Sequence, residues 1–117
     1  MANLTSIQHG DVLVVGFTES KIIDTLRIRQ TGKELHESIP QAVCKKLLVN
    51  FRGVSLMSSE MLQQLINLRV SCLNQGVDLK LCELSPNLMT IFRTTTLDSN
   101  FDIHRDEEKA VASFSRK

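Results

Sequence analysis

The chain lacks several features that would assign it to a particular class of protein. Its 117 residues include no tryptophan and no tyrosine, so it lacks the two largest aromatic side chains, on which the bases of single-stranded nucleic acid often stack. The formal net charge is +1, which gives no electrostatic case for nucleic acid or for an anionic membrane. No apolar run approaches the length of a membrane span, and the first residues do not resemble a signal peptide. These absences predict a cytoplasmic protein that binds neither nucleic acid nor membrane.

Motifs for catalysis, cofactors and metals are also missing. The five glycines fall in no phosphate-binding spacing, and no GxSxG nucleophile motif occurs. The three histidines lie far apart, have no metal-ligand spacing and are expected at the surface. Cys44, Cys72 and Cys82 each lie in an apolar run and are expected to be buried, reduced thiols. The sequence therefore predicts no enzyme, no cofactor and no metal site.

Along the chain, segments with the apolar pattern of a strand alternate with segments whose apolar residues have helical spacing. Strands are predicted over 4–8, 12–17, 45–51, 77–82 and 101–103. Helices are predicted to begin near 22, 58, 85 and 106. The first two strands form a hairpin, and the helix-separated strands that follow imply right-handed crossovers and a parallel core. The predicted fold class is α/β: one domain over 1–117, a mixed and mostly parallel sheet with an antiparallel N-terminal edge strand, and about four helices on one side of the sheet or on both.

The first predicted helix has the least regular pattern. Ile23 and Leu26 are among its apolar positions and are expected to face inward. Pro40 is expected to end the helix. Glu34 and Glu37 lie three residues apart with Lys33 nearby, and they are expected on a solvated helix face rather than as an acid/base pair.

The segment Ser58-Ser59-Glu60 has two interpretations. A serine can cap the following helix while Glu60 complements the helix dipole, and such a cap contributes about 0.5–2 kcal/mol. Alternatively, exposed hydroxyls at a helix N-terminus form a place where a phosphate is added or sensed. The two interpretations are compatible with each other, and residue chemistry alone leaves both open.

The stretch from Val49 to Leu62, which reads VNFRGVSLMSSEML, resembles the central motif of the STAS family: an apolar strand, Asp-Leu-x-Gly-Val, and then Asp-Ser-Ser-Gly-Leu opening a helix. The segment 77–86 resembles the next strand and turn of that family, and 91–103 resembles its closing pattern. The resemblance covers about residues 4–115. It implies a protein-binding regulatory module of the kind found in anti-sigma-factor antagonists, which bind a serine kinase that also holds a sigma factor.

In that family, phosphorylation of the second serine of Asp-Ser-Ser-Gly releases the partner. An ungapped match anchored on Gly53 places Ser58 at the aspartate, Ser59 at the first serine, Glu60 at the phosphoserine and Met61 at the glycine. A one-residue deletion would instead align Ser58 and Ser59 with the two serines. The resemblance therefore leaves both serines as candidate phosphoacceptors.

Three functions follow from the resemblance. The chain is expected to be an antagonist that docks an anti-sigma serine kinase, or a non-switching STAS scaffold in which Glu60 supplies a fixed negative charge, or a sensor of a small ligand or nucleotide. It is expected to be a monomer or a weak homodimer. Loops that follow parallel strands share one end of the sheet, which is where ligands bind in α/β folds. The predicted partner-binding residues are Thr18, Glu19, Ser20, Lys21, Ser58, Ser59, Glu60, Met61, Ser85 and Asn87.

Overall fold

The structure is a computed structural model that describes residues 3–114. The strands are β1 (Leu4–His9), β2 (Val12–Phe17), β3 (Lys21–Ile22), β4 (Lys46–Asn50), β5 (Leu56–Met57), β6 (Asp78–Cys82) and β7 (Ile103–His104). The helices are α1 (Thr25–Gln41), α2 (Ser59–Gln75), α3 (Pro86–Thr94) and α4 (Glu107–Phe114), with a short 3₁₀ turn at Leu97–Ser99. Within residues 3–114, no helix combines the length and the apolar character needed to cross a membrane.

Five strands form the main sheet in the order β1-β2-β4-β6-β7. β1 and β2 pair antiparallel through a tight turn at Gly10, and the pairs β2–β4, β4–β6 and β6–β7 are all parallel. Gly10 has a φ of 65°, which suits a residue without a Cβ in a two-residue hairpin turn. The predicted α/β fold, with its antiparallel edge strand, mostly parallel core and four helices, is confirmed.

Helices cover both faces of the sheet, a question that the sequence had left open. Alternate residues of a strand point to opposite faces. On one face, residues such as Leu47 and Val49 pack in a large core with α1, α2 and α3. On the other face, Val14 and Leu48 pack in a smaller core against Ala110 and Phe114 of α4. The sheet is therefore thickly covered on one side and covered by a single short helix on the other.

α1 differs from the prediction at both of its ends. Asp24 caps the helix, because its Oδ1 accepts hydrogen bonds from the N–H groups of Leu26 (2.9 Å) and Arg27 (3.2 Å). Ile23 therefore lies before the helix, and the predicted inward position of Ile23 and Leu26 is wrong, since both side chains are mainly exposed. Pro40 lies inside the last turn rather than ending the helix, which continues to Gln41.

Two further expectations about single residues are wrong. Cys44 is exposed, because it lies in the loop between α1 and β4 rather than in the apolar strand that follows. Glu34 is half-buried, and its carboxylate accepts hydrogen bonds from the backbone N–H groups of Asn3 (3.1 Å) and Leu4 (3.2 Å). Glu34 thus anchors the beginning of β1 to α1.

Candidate functional site

The two-residue strands β3 and β5 bring the loop over 18–21 next to the start of α2. β3 and β5 pair in parallel, with Lys21 opposite Leu56. The carbonyl oxygen of Ser20 accepts a hydrogen bond from the N–H group of Leu56 (3.3 Å), and that of Ile22 accepts one from Ser58 (3.1 Å). The segment after β2 is therefore fixed beside the segment that leads into α2.

Apolar side chains on and beside this strand pair are exposed. Ile22 and Met57 point inward and are 5% and 3% exposed. By strand alternation, Leu56 and Ile23 point outward. Ile23, Leu56 and the first-turn residue Leu26 are 53%, 40% and 66% exposed. We call Ile23, Leu26 and Leu56 the apolar patch; it lies next to the start of α2, since Ile22 is bonded to the residue that caps that helix.

The start of α2 presents unpaired polar groups. Ser58 is the N-cap, and its Oγ accepts a hydrogen bond from the N–H group of Met61 (3.4 Å). Ser59 is exposed and Glu60 is half-buried, and neither side chain makes a hydrogen bond to another part of residues 3–114. Met61 is 0% exposed, so its predicted place on a partner-binding surface is wrong; at the third helical position its side chain turns into the core.

The loop over 18–21 borders a groove beside the first turn of α1. Thr18 donates a hydrogen bond from its Oγ1 to the carbonyl oxygen of Asn3 (3.2 Å), and Arg27 pairs with Glu19 at 2.6 Å. The groove has a volume of about 600 Å³ and includes Glu19, Asp24 and Arg27 in its lining. Since Arg27 is already paired and two carboxylates lie nearby, the groove offers little attraction to the phosphates of a nucleotide.

The third predicted segment lies farther along the same end of the sheet. Ser85 follows β6 and caps α3, and its Oγ accepts a hydrogen bond from the N–H group of Leu88 (3.2 Å). Ser85 is half-buried and Asn87 is exposed. α3 contacts β5, the strand that contains Leu56. We call residues 18–23, 26, 56–60 and 85–87 together the rim surface.

A family model for the STAS domain matches residues 3–110 of the sequence. The chain belongs to the STAS domain family. Comparison with curated proteins found no match. The family assignment therefore comes from the family model and accords with the element order described above.

Solved structures show the same STAS fold. A STAS domain protein of Planctomyces limnophilus, named as an anti-sigma-factor antagonist, superposes with a TM-score of 0.84 at 16% identity, covering 98% of this chain and 100% of the other. A protein of Thermotoga maritima assigned as an anti-sigma factor antagonist gives 0.83 at 16% identity, covering 97% and 95%. The Bacillus cell fate determinant SpoIIAA in its phosphorylated form gives 0.69 at 15% identity, covering 97% and 99%. At these identities the likeness establishes the fold alone.

Reasoning from the sequence missed the apolar patch of this STAS domain. The helical spacing of Ile23 and Leu26 predicts an inward position, because apolar residues at such spacing usually are buried. The signal that could have corrected this is Asp24, a good N-cap residue placed between them. Leu56 follows the same logic, because in a two-residue strand one of two neighbouring apolar side chains must face outward.

A second polar cluster lies at the ends of β4 and β6, beside the start of α4. Glu83 accepts hydrogen bonds from Arg52 Nε (2.8 Å) and Nη2 (3.1 Å) and from the backbone N–H of Glu107 (3.2 Å). Glu107 in turn accepts hydrogen bonds from Asn50 Nδ2 (2.8 Å) and His9 Nδ1 (2.9 Å). Glu83 has a φ of 59°, a left-handed conformation that costs a non-glycine residue about 1–2 kcal/mol. The cluster therefore holds a strained backbone position in place.

The electrostatics of this cluster favour the charged form of Glu107. The hydrogen bond from His9 lowers the pKa of Glu107 and outweighs the effect of burial, which raises it; a further hydrogen bond from Asn50 acts in the same direction as His9. Because the two carboxylates accept hydrogen bonds from the hairpin, the sheet and the backbone of α4, the cluster holds α4 on the sheet.

Two of the three thiols are buried, and the third, that of Cys44, is exposed. Burial raises the pKa of Cys72 to about 11 and, together with the neighbouring acids, that of Cys82 to about 12, so both thiols stay protonated and unreactive. Across the described part of the chain, no three side chains of His, Cys, Asp or Glu lie close enough together to hold a metal ion.

Proposed function

We propose that this STAS domain is a regulatory module that docks a partner protein through the rim surface and acts as an antagonist of an anti-sigma factor. The observation that supports this most is the apolar patch of Ile23, Leu26 and Leu56, which is exposed beside an open helix start. Exposed apolar side chains grouped next to polar groups are typical of protein-binding surfaces. The naming of its structural neighbours as anti-sigma-factor antagonists supports the same role.

Docking would bury the apolar patch, and the charge at the start of α2 would set its strength. Glu60 has no hydrogen-bond partner within residues 3–114, whereas Glu19 is paired with Arg27, so the partner surface is expected to place a basic group opposite Glu60 beside its own apolar side chains. The proposed partner is a serine kinase that also holds a sigma factor, as the family resemblance implies. Occupying the kinase would free the sigma factor for transcription, without any reaction catalysed by this chain.

Control by phosphorylation is the finer part of the proposal, and Ser59 is the better acceptor of the two serines. Its hydroxyl is exposed and free of hydrogen bonds within residues 3–114, whereas the Ser58 hydroxyl accepts the capping bond. A phosphate on Ser59 would add about −1.5 to −2 of charge beside Glu60 and repel a partner that tolerates one carboxylate but not two further charges.

A non-switching scaffold remains a second candidate because of Glu60. The ungapped match places this carboxylate at the family's phosphoserine position, and it is half-buried at the second position of α2. A fixed negative charge there would hold the surface in one affinity state. The two candidates differ in whether a kinase changes the affinity.

Binding of purified protein to an anti-sigma-factor serine kinase of the same cell, measured by calorimetry, tests the docking proposal. Leu26→Asp is expected to weaken binding by about tenfold or more, because it places a charge in the buried centre of the contact. Leu73→Asp is the matched control, since Leu73 is 63% exposed, like Leu26, but lies near the end of α2. Equal binding by both variants and the unsubstituted chain would refute docking at the apolar patch.

Incubation with the same kinase and ATP, followed by mass spectrometry, tests the switch. Phosphate is expected on the unsubstituted chain and on Ser58→Ala, and its loss is expected in Ser59→Ala. If no phosphate is transferred but Glu60→Ser creates an acceptor at that position, the fixed-charge scaffold is favoured instead. Phosphate that persists in Ser59→Ala would contradict the assignment of the acceptor.

A further inference from the structure

β1 is an edge strand without the usual protection. It lies at the end of the sheet with one neighbour, β2. Natural edge strands are commonly guarded by charged residues, proline or bulges, because their free N–H and C=O groups invite another strand. β1 reads LTSIQH and has no Asp, Glu, Lys, Arg or Pro. Ile7, in its middle, is 64% exposed.

The free backbone groups of β1 can be assigned from its pairing with β2. The N–H group of Thr18 donates to the carbonyl oxygen of Asn3 (3.1 Å), so Asn3 and Thr18 form a hydrogen-bonded pair. Such pairs alternate along an antiparallel ladder. It follows that the N–H and C=O groups of Ser6 and Gln8 point away from β2, to the open edge. The N–H group of Leu4 also points there but is bonded to Glu34 (3.2 Å).

We propose that β1 pairs with β1 of a second copy of this chain, antiparallel, with Ile7 on the two-fold axis. Ser6 of each copy then exchanges two hydrogen bonds with Gln8 of the other, and the two Ile7 side chains face each other as a non-hydrogen-bonded pair, the type with the closer side chains. The two five-stranded sheets join into one continuous sheet across the axis.

Glu34 determines the register of this pairing. A register centred on Ser6 would require the N–H group of Leu4 to bond Gln8 of the other copy, but Glu34 already occupies that group. A register centred on Ile7 uses Ser6 and Gln8 and leaves Leu4 with Glu34. The carboxylate therefore limits how far a second strand can extend along the edge.

The composition of the strand favours a second copy over an unrelated partner. Two-fold pairing places each residue opposite itself or opposite a residue of the same strand, so an Asp, Glu, Lys or Arg near the axis would meet its own charge. β1 has none, and its exposed apolar residue lies at the self-facing position. A stable protein complex buries about 1,200–2,000 Å² of surface in total, and pairing of two edge strands buries less. We therefore expect a dimer that dissociates on dilution.

Site-directed cross-linking tests both the dimer and its register. In a Cys44→Ser background, which removes the exposed native thiol, Ile7→Cys is expected to form a disulfide-linked dimer with oxidised glutathione. Facing Cα atoms of a non-hydrogen-bonded pair lie about 4.5 Å apart, within disulfide range. Ser6→Cys is the adjacent control and is expected not to cross-link. In this register Ser6 lies opposite Gln8 of the other copy, so the two Ser6 Cα atoms are offset along the strands. The Ser6 side chain also lies on the opposite face of the sheet from Ile7. Equal cross-linking of both variants, or none in either, would overturn the proposal.

Sedimentation of the uncross-linked chain gives an independent measurement. Ser6→Pro removes an N–H group that faces the open edge, so the β1–β2 ladder is kept and circular dichroism is expected to be unchanged. Two of the four intermolecular hydrogen bonds are lost, which predicts a dimer weaker by about thirtyfold. A dimer of undiminished strength in Ser6→Pro, or a chain that stays monomeric at the highest concentration reached, would show that β1 does not self-associate.

Discussion

Two helices begin at the same end of the sheet, and their first turns have very different surroundings. At the start of α4, the carboxylate of Asp106 accepts the N–H group of Lys109 (2.8 Å), and Glu107 is bonded to both Asn50 and His9. At the start of α2, Ser58 accepts one long capping bond of 3.4 Å. Glu60, the acid of that first turn, has no hydrogen-bond partner within residues 3–114.

The difference shows how one local sequence pattern serves two purposes. An acid in the first turn of a helix is favoured by the helix dipole in either case. At α4 its remaining hydrogen-bonding capacity is taken up by the sheet and the hairpin, so the acid holds the helix in place. At α2 that capacity is not used by the described residues. A saturated helix start stabilises the fold, and the unsaturated one is where we propose that a partner binds.

The most direct test of this comparison is to remove one acid near each of the two helix starts. Glu83→Ala is expected to destabilise the fold by about 2–3 kcal/mol, because the bonds to Arg52 and to the backbone of Glu107 are charge-assisted and Glu83 is mostly buried. Glu60→Ala is expected to change stability by less than about 0.5 kcal/mol, since it removes no hydrogen bond. Urea denaturation of both variants measures the two values.

Glu83→Gly separates the lost bonds from the left-handed backbone. Glycine adopts a φ of 59° without the strain that alanine meets, so this variant is expected to be no less stable than Glu83→Ala although it lacks the same bonds. Should Glu60→Ala prove as destabilising as Glu83→Ala, the distinction between a saturated and an unsaturated helix start would be lost.

The two serines at the start of α2 are expected to differ in the same way, with smaller effects on stability. Ser58→Ala is expected to cost about 1 kcal/mol, because the N–H group of Met61 loses its capping acceptor. Ser59→Ala is expected to stay within about 0.5 kcal/mol of the unsubstituted chain, because the exposed hydroxyl bonds nothing in the described residues. Thermal unfolding of the pair measures the difference; a larger loss in Ser59→Ala would mean that the cap lies one residue later.

The pH dependence of stability probes the saturated start of α4. Since the hydrogen bond from His9 holds the pKa of Glu107 below its usual value of 4.5, this carboxylate contributes stability that is fully present above pH 4.5 and is lost as the pH falls through its lowered pKa. Glu107→Gln is therefore expected to lose less stability than the unsubstituted chain between pH 5 and pH 2.

Part of the acid dependence should survive in Glu107→Gln. The hydrogen bond from Lys46 lowers the pKa of Asp11. For Asp102, burial raises the pKa, but the hydrogen bonds and charges of Lys80 and His104 together lower it further than burial raises it. These carboxylates still protonate at low pH and reduce stability. An acid limb identical to that of the unsubstituted chain, measured by urea denaturation at each pH, would show that the bond to His9 contributes nothing.

Much of the fold was predictable because strand and helix signals here are local. The apolar run before Arg52 predicts β4, and the helical spacing after Ser58 predicts α2, which ends at Gly76 with a φ of 72°. The last strand was placed at 101–103 but lies at Ile103–His104. Phe101 is apolar because it packs against Phe92, with ring centroids 6.0 Å apart, and not because it belongs to the ladder.

The candidate site was only partly predictable, because exposure depends on contacts distant in sequence. The loop over 18–21 and the start of α2 meet through β3 and β5, strands of two residues that are too short to give a periodic pattern. The sequence likewise predicts Met61 on the partner-binding surface, although it is fully buried. The bonds around Glu83 join elements far apart in the chain and left no signal in its neighbourhood.

The smallest expected effect concerns the residue on which control would act. Ser59→Asp adds a charge at the first position of α2, where the N-terminal end of the helix dipole attracts it, while Glu60 next to it repels it. These opposing effects predict a net stabilisation of only about 0.3 kcal/mol. Thermal unfolding of Ser59→Asp and Ser59→Asn, an uncharged control of the same shape, measures it. A strongly destabilised Ser59→Asp would mean that the fold resists negative charge there, and that a phosphate would act by unfolding the helix start rather than by changing its affinity for a partner.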